Sequence, residues 1–231
     1  MNRRNILLGS VALVGLGGWY LSSSTTSTVP SGDTLLPGAA NAQTTDAETT
    51  AGDIDISGIE DMMIGNADAT VEVIEYASFT CPHCATFHEG PFKQLKAEYI
   101  DTGKIKFIYR EVYFDRFGLW ASLVARCGGS ERFFGMSDLI YAGQAEWSRA
   151  GEPAAIVEEL RKIGRIAGLD NDTLEACLQD GDKAQALVAW YQKNAEADDI
   201  TSTPTFVING TKHGNMTYAD MKALIDEALA G

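Results

Sequence analysis

The chain has 231 residues, with 32 Asp and Glu against 18 Lys and Arg, for a net charge of −14. Setting aside the first sixty or so residues still leaves about 170, enough for one domain with a sizeable core. The acidic balance reads mainly as solubility, and no basic cluster points to nucleic acid.

Residues 1–21 carry Arg3 and Arg4 followed by an apolar run from Ile6 to Leu21. A positive start and a hydrophobic middle mark an export segment, either a signal peptide or a retained membrane anchor. The run is shorter than the about 20 residues that span a bilayer comfortably. Ala40-Asn41-Ala42 could be cut but lies far beyond it. Sec and twin-arginine export both stay open. Residues 22–52 are rich in Ser, Thr, Ala, Gly and Pro, and residues 53–61 are acidic with scattered isoleucines that could lead into the first strand; a low-complexity flexible linker is expected over residues 22–60. The folded domain is expected over residues 61–231.

Within it, Met62 to Ile64 reads as a short edge strand, and Val71, Val73, Ile74 and Tyr76 as a central strand. That strand runs into Cys81-Pro82-His83-Cys84, after which Ala85 to Ile100 has helical character. A C-x-x-C between a strand and a helix is a redox pattern. Cys81 falls at the start of the helix, where unpaired N–H groups and the positive dipole end favour an anion. His83, as imidazolium or N–H donor, would stabilise the Cys81 thiolate further. A stabilised thiolate leaves readily and makes the disulfide form the stronger oxidant. Each unit of thiol pKa is worth about 1.4 kcal/mol, so a few units decide the direction of electron flow. The competing reading is half of a zinc site, for which His88 is the only obvious further ligand. A c-type haem is excluded because Ala85 follows Cys84.

Cys-Pro-His-Cys at this place, with what precedes and follows it, resembles the thioredoxin-fold disulfide oxidoreductases of the bacterial DsbA family over roughly residues 63–231. The resemblance implies that Cys81 exchanges with substrate while the more buried Cys84 resolves the mixed disulfide. It implies that Glu75, six residues before Cys81, is the family's buried acid, which helps proton transfer at the inner cysteine; a solvent-facing strand residue is the plainer alternative. His88, four residues past Cys84 on the same helix face, takes the plain reading of a helix residue, with tuning of the thiols as its alternative, and His213 that of a surface residue.

Gly90-Pro91 is expected to interrupt the helix after Cys84, and Asp101-Thr102-Gly103 to end it. Lys104 to Val112 alternates as a strand with one largely polar face, completing a right-handed βαβ unit. Residues about 115–199 are helical in pattern, the helical insert that the resemblance implies. Trp120, Trp147 and Trp190 read as packing residues. Cys127 and Cys177 fall on predicted helices of this insert; in an exported chain they fit a structural disulfide, against two buried thiols. A second bridge there resembles some alphaproteobacterial members of the family.

Pro204, in Thr201-Ser202-Thr203-Pro204-Thr205, matches the family's cis-proline loop, which faces the C-x-x-C. The backbone of Thr203 would then pair with an extended substrate peptide. Thr203 departs from the valine of many strong oxidases and matches relatives that isomerise or reduce. Phe206 to Ile208 reads as a strand, Asn209-Gly210 as a hairpin turn, and Tyr218 to Ala230 as a closing helix with Met221, Leu224, Ile225 and Leu229 facing in.

The expected fold is α/β: a thioredoxin fold with a helical insertion between its βαβ half and its cis-proline, C-terminal ββα half. The expected function is an exported, periplasmic thiol:disulfide oxidoreductase that introduces disulfides into folding proteins with free cysteines. It would be a monomer needing no metal and no organic cofactor. The resemblance implies a membrane quinone-linked, DsbB-like partner that reoxidises it. An isomerase or reductase of the same fold is the first alternative; a soft-metal or peptide-binding module is an alternative of another class.

Overall fold

The computed structural model describes residues 54–231. The expected export segment and most of the expected tether lie outside the described residues. Residues 54–60, expected within that tether, belong instead to the folded domain. Ile59 is buried in the main core, and Ile54 packs against it. Two of the three isoleucines in this acidic stretch, Ile54 and Ile59, meet the core.

Five strands form one mixed sheet: β1 (Met62–Gly65), β2 (Val71–Ala77), β3 (Ile105–Glu111), β4 (Thr205–Ile208) and β5 (Thr211–His213). Their order is β1-β3-β2-β4-β5. β2 and β3 are parallel, with Val71 opposite Ile105 and Glu75 opposite Tyr109. The other neighbours run antiparallel. Asn209 and Gly210 turn β4 into β5 with φ of 43° and 81°, the left-handed backbone that Asn and Gly tolerate best.

The parallel pair needs a crossover. It is made by α1 (Pro82–Glu89), α2 (Pro91–Leu95) and a π-helical turn over Lys96–Ile100. Gly90, at φ −125° and ψ −84°, leaves the helical region, and Pro91 restarts it. The insert follows as α3 (Arg116–Cys127), α4 (Ser130–Ala142), α5 (Gln144–Trp147), α6 (Pro153–Ile166), α7 (Asn171–Leu178) and α8 (Gly181–Ala197). Asp115, Asp170 and Asp180 cap α3, α7 and α8 by accepting from first-turn N–H groups. Gly164 lets α6 and α7 meet: a Cβ there would run into the Leu174 side chain. The chain closes with α9 (Tyr218–Ala230). Met221 and Ile225 of α9 are buried and Leu224 partly so, but Leu229, expected to face in, is exposed in the last turn of the helix.

Strand alternation sorts side chains onto two faces. Val73, Ala77, Ile105, Phe107, Tyr109, Phe206 and Ile208 enter the main core. Ile74, Tyr76, Ile108, Val112 and Val207 form a smaller core on the opposite face, covered by Tyr191 and Ile200. The face of β3 expected to be largely polar is therefore partly apolar and buried, because α8 and the residues after it lie over it. Arg110, on that face, bonds Asp61 at 2.9 Å through both carboxylate oxygens and donates to the Tyr76 hydroxyl at 2.8 Å.

A buried bidentate pair joins Arg126 of α3 to Glu111 of β3 at 2.6 and 2.7 Å, and Arg126 Nη1 donates to the Glu60 carbonyl at 3.0 Å. Cys127, the next residue, is bonded to Cys177 with Cα atoms 5.8 Å apart, tying α3 to α7. None of the described helices is long and apolar enough to cross a membrane.

The Cys127–Cys177 bridge closes a loop of 50 residues. In the chain-entropy picture that is worth about 4 kcal/mol. At about 2–4 °C per kcal/mol for a domain of this size, Cys127→Ser should lower the melting temperature by roughly 10 °C in thermal circular dichroism. Cys81 and Cys84 should stay reactive. Unchanged melting would remove the bridge's stabilising role.

Candidate active site

β2 ends at Ala77, and the chain turns through Ser78, Phe79 and Thr80 before α1 begins. Cys81 N donates to the Ser78 carbonyl at 3.1 Å, closing that turn. Cys81 is the N-cap of α1, with extended backbone at φ −82° and ψ 118°, and Pro82 occupies the first turn. Proline suits that place because its missing N–H would have no helical partner. Cys84 lies one turn into the helix and is fully buried, while Pro82 and His83 are exposed. Both sulfurs are free thiols.

The turn is held from three sides. Thr80 Oγ1 donates to Asp115 Oδ2 at 3.0 Å, and Asp115 also caps α3. The Tyr141 hydroxyl donates to the Ser78 carbonyl at 3.3 Å. The buried side chain of Gln144 donates through Nε2 to the carbonyls of Phe79, at 2.8 Å, and of Cys81, at 2.9 Å. Opposite, Thr203 and Pro204 precede β4, joined by a cis peptide bond. The Cys81 thiol donates to the Thr203 carbonyl at 3.5 Å.

The two sulfurs are in opposite electrostatic surroundings. The Cys81 thiol is lowered to about 5, chiefly by the hydrogen bond from the Cys84 thiol. Burial opposes this; the Thr203 hydroxyl and the N–H groups of Cys84 and His83 add to it. That hydroxyl is buried without a hydrogen-bond partner. The Cys84 thiol is pushed far above its ordinary value, first by burial, then by its bond to Cys81 and the charge of Glu75. Among the main influences on Cys81, His83 acts through its backbone N–H rather than its imidazole.

Beneath Cys84 lies a polar cluster in the main core. Glu75 is fully buried on β2, and its Oε2 shares a hydrogen bond of 2.8 Å with His88 Nε2 of α1. His88 faces inward from the same side of α1 as Cys84, 2% exposed, and stacks on Tyr141 with ring centroids 4.3 Å apart. Its position four residues after Cys84 set it on the same helix face, but only the sheet register brings Glu75 to it. Nor is it poised as a zinc ligand: among the described residues no group of three His, Cys, Asp or Glu is placed to hold a metal. The Tyr109 and Tyr141 hydroxyls are 2.6 Å apart, and burial pushes both phenols well above their ordinary value. His213 lies on β5, partly exposed and away from the cysteines in the sheet order.

The family model described as thioredoxin matches residues 57–227. The chain belongs to the thioredoxin family. Among relatives, a Rickettsia bellii protein named "Putative protein-disulfide oxidoreductase" is 36% identical over 170 residues, covering 73% of this chain and 64% of that one. A Rickettsia conorii protein of like name is 34% identical, covering 73% and 60%. The chain thus spans less than two thirds of the length of these relatives. Among solved structures, Wolbachia pipientis alpha-DsbA1 has a TM-score of 0.69 at 28% identity, covering 74% of this chain and 92% of that one. A protein-disulfide isomerase from Novosphingobium aromaticivorans has a TM-score of 0.67 at 25% identity, covering 74% and 98%. The thioredoxin fold with a helical insertion, expected from the sequence, is the fold these structures share with the chain.

Sequence reasoning missed Gln144. A lone glutamine in a four-residue helix carries no motif; only its burial beside two carbonyls reveals it.

The Cys81 thiolate band near 240 nm should titrate with a midpoint near about 5. Because the folded value lies below the ordinary 9.0, this thiolate stabilises the dithiol form fully above about pH 9 and progressively less as pH falls to about 5. The stability difference between dithiol protein and its Cys81→Ser variant should shrink over that window in urea denaturation; a constant difference would contradict the shift. Gln144→Ala leaves two buried carbonyls without their side-chain donor and should cost about 1–3 kcal/mol in urea denaturation of the same protein.

Proposed function

We propose that the chain is a protein thiol:disulfide oxidoreductase of the DsbA type, donating the Cys81–Cys84 disulfide to proteins folding outside the cytoplasm. The single observation that carries this is the contrast between its sulfurs: Cys81 held low at the helix start, Cys84 buried and held high. A substrate thiolate attacks Cys81 Sγ, the Cys81–Cys84 bond breaks, and Cys84 leaves with the electron pair and takes up a proton. The substrate's second thiolate then attacks the substrate sulfur of the mixed disulfide and releases Cys81 as a thiolate. Two electrons pass from substrate to the pair, and the substrate gains a disulfide. Cys81 is the good leaving group in the second step because its thiolate is stabilised.

Pro82 fixes the first turn of the helix, and His83 contributes its backbone N–H at Cys81. Glu75 serves proton transfer at Cys84. The carbonyl of Thr203, now bonded by the Cys81 thiol, is the nearest acceptor for the backbone N–H of an extended substrate, with Pro204 shaping the same edge. Cys127 and Cys177 remain a structural bridge. No organic cofactor enters these steps. Reoxidation falls to a membrane quinone-linked, DsbB-like partner.

The export segment at residues 1–21 supports a periplasmic setting, reached by a soluble chain after cleavage or by a tethered one through residues 22–53. A bridged Cys127–Cys177 pair fits an oxidising compartment. The protein would act as a monomer on unfolded or folding exported proteins with free cysteines.

Thr203 favours a second reading, an isomerase or reductase kept reduced by a membrane donor. The reduction potential separates the two. Equilibrated against glutathione in protein lacking residues 1–52, the Cys81–Cys84 couple should lie near or above about −150 mV if the chain donates disulfides. A value near about −250 mV would turn the assignment to the reductase or isomerase.

A further inference from the structure

The exchange steps leave one pair of buried side chains with unfilled valences next to the chemistry. Glu75 and His88 bond each other through Oε2 and Nε2, while Glu75 Oε1 and His88 Nδ1 are both buried without a hydrogen-bond partner. Buried polar atoms are almost always paired, because an unmade hydrogen bond in the core is costly. Two orphans on one bonded pair, in the same polar cluster as the inner sulfur, call for a use.

We infer that His88 is a positioning residue for proton transfer at Cys84: it holds Glu75 through the Nε2–Oε2 bond, so that the pair stores one proton and Glu75 Oε1 passes it to and from the sulfur. The inference rests on the disulfide-exchange reading of the site.

The need for a proton follows from burial. Cys84 is fully enclosed, and its thiolate has no solvent to stabilise it. When the Cys81–Cys84 bond breaks, the electron pair stays on Cys84 Sγ, and a proton must reach that sulfur within the core. In the reverse step the Cys84 thiol gives its proton to Glu75 Oε1, and the thiolate attacks Cys81 of the mixed disulfide and expels the substrate thiolate. Each direction moves one proton and breaks one S–S bond as another forms.

The neighbouring groups narrow the carrier. From β3, Tyr109 holds its proton strongly and is engaged with Tyr141. From α4, Tyr141 does likewise and donates to the Ser78 carbonyl; Asp138, also on α4 and close enough to feel His88, is exposed at the surface. From α1 come Cys84 and His88, and from β2 comes Glu75, whose charge acts on Cys84 directly. Glu75 is the group among these whose charge acts on the sulfur and which also has a buried oxygen without a hydrogen-bond partner. Stacking on Tyr141 and contact with Phe92 at 4.5 Å between ring centroids fix the imidazole, so the Nε2–Oε2 bond has one geometry. An imidazole differs from a simple amide donor there in one respect: it can accept and release the shared proton.

That difference is the test. Oxidised protein is mixed with a peptide containing one cysteine, and mixed-disulfide formation is followed by acid quench and mass spectrometry from pH 4 to 8, with rates corrected for peptide thiolate. His88→Gln keeps a donor to Glu75 but cannot carry a proton. The expected result is a loss of at least about tenfold at pH 7 with a flattened pH profile, while the Cys81 thiolate titration is unchanged. A rate within twofold of the unmodified protein, with the same profile, overturns the inference. Should His88→Gln fail to fold, ring ¹⁵N signals of the unmodified protein decide: a change in the protonation of His88 between dithiol and disulfide forms at pH 7 supports the pair, and identical protonation overturns it. Failure of the unmodified protein to react with the peptide at all would instead overturn the disulfide-exchange reading, and this inference with it.

Discussion

Two sulfurs sit three residues apart on one helix, and everything else in the domain serves to keep their surroundings different. Cys81 stands where α1 has N–H groups to spare, next to the Thr203 edge. Cys84, a turn further in, has only the core around it. A negative charge is welcome on the first and strongly opposed on the second, so the same dithiol contains a good leaving group and a poor one. Neither environment is local. The helix start needs the turn over Ser78 to Thr80 to stop β2 at the right residue, and the burial of Cys84 needs the helix pressed onto the sheet.

The sheet places the acid as well as the sulfurs. Strand alternation turns Glu75 to the same face as Val73 and Ala77, into the main core, where an unpaired carboxylate would be costly. His88 answers it from the helix. The opposite face of the sheet is not left to solvent but carries its own small core and the Arg110 network, so both faces resist sliding. A one-residue slip of β2 would exchange Glu75 with Ile74 or Tyr76 and dismantle the site together with the core.

The strand-turn-helix around the C-x-x-C was legible because its parts follow one another in the chain. The Gly90-Pro91 break and the Asn209-Gly210 hairpin were also legible, because proline fixes its own backbone and Asn-Gly tolerates the left-handed turn, and the closing helix was legible from its apolar spacing. What escaped depends on contacts between distant segments. Ile59 looked like part of a tether until the core received it. Ile108 alternated into an apparently polar face until α8 covered it. His88 was an ordinary helix residue until the β2 register set Glu75 against it, and Gln144 had no sequence signature at all. Leu229 failed in the other direction: helical spacing aimed it inward, but the domain has no core left at the end of α9.

Gln144, Asp115 and Tyr141 all reach the active-site turn from the helical insert or the approach to it. The thioredoxin frame therefore does not own its reactive loop; it shares custody with the lobe inserted into it. Grafting the Cys-Pro-His-Cys segment onto a plain thioredoxin would carry over the letters without these three anchors, and the transplanted sulfurs would inherit a looser turn. Conversely, the insert can drift in sequence on its outer surfaces while these inward attachments stay under constraint, so variation among insert-bearing relatives should stop at a handful of positions set by the loop rather than by the lobe itself.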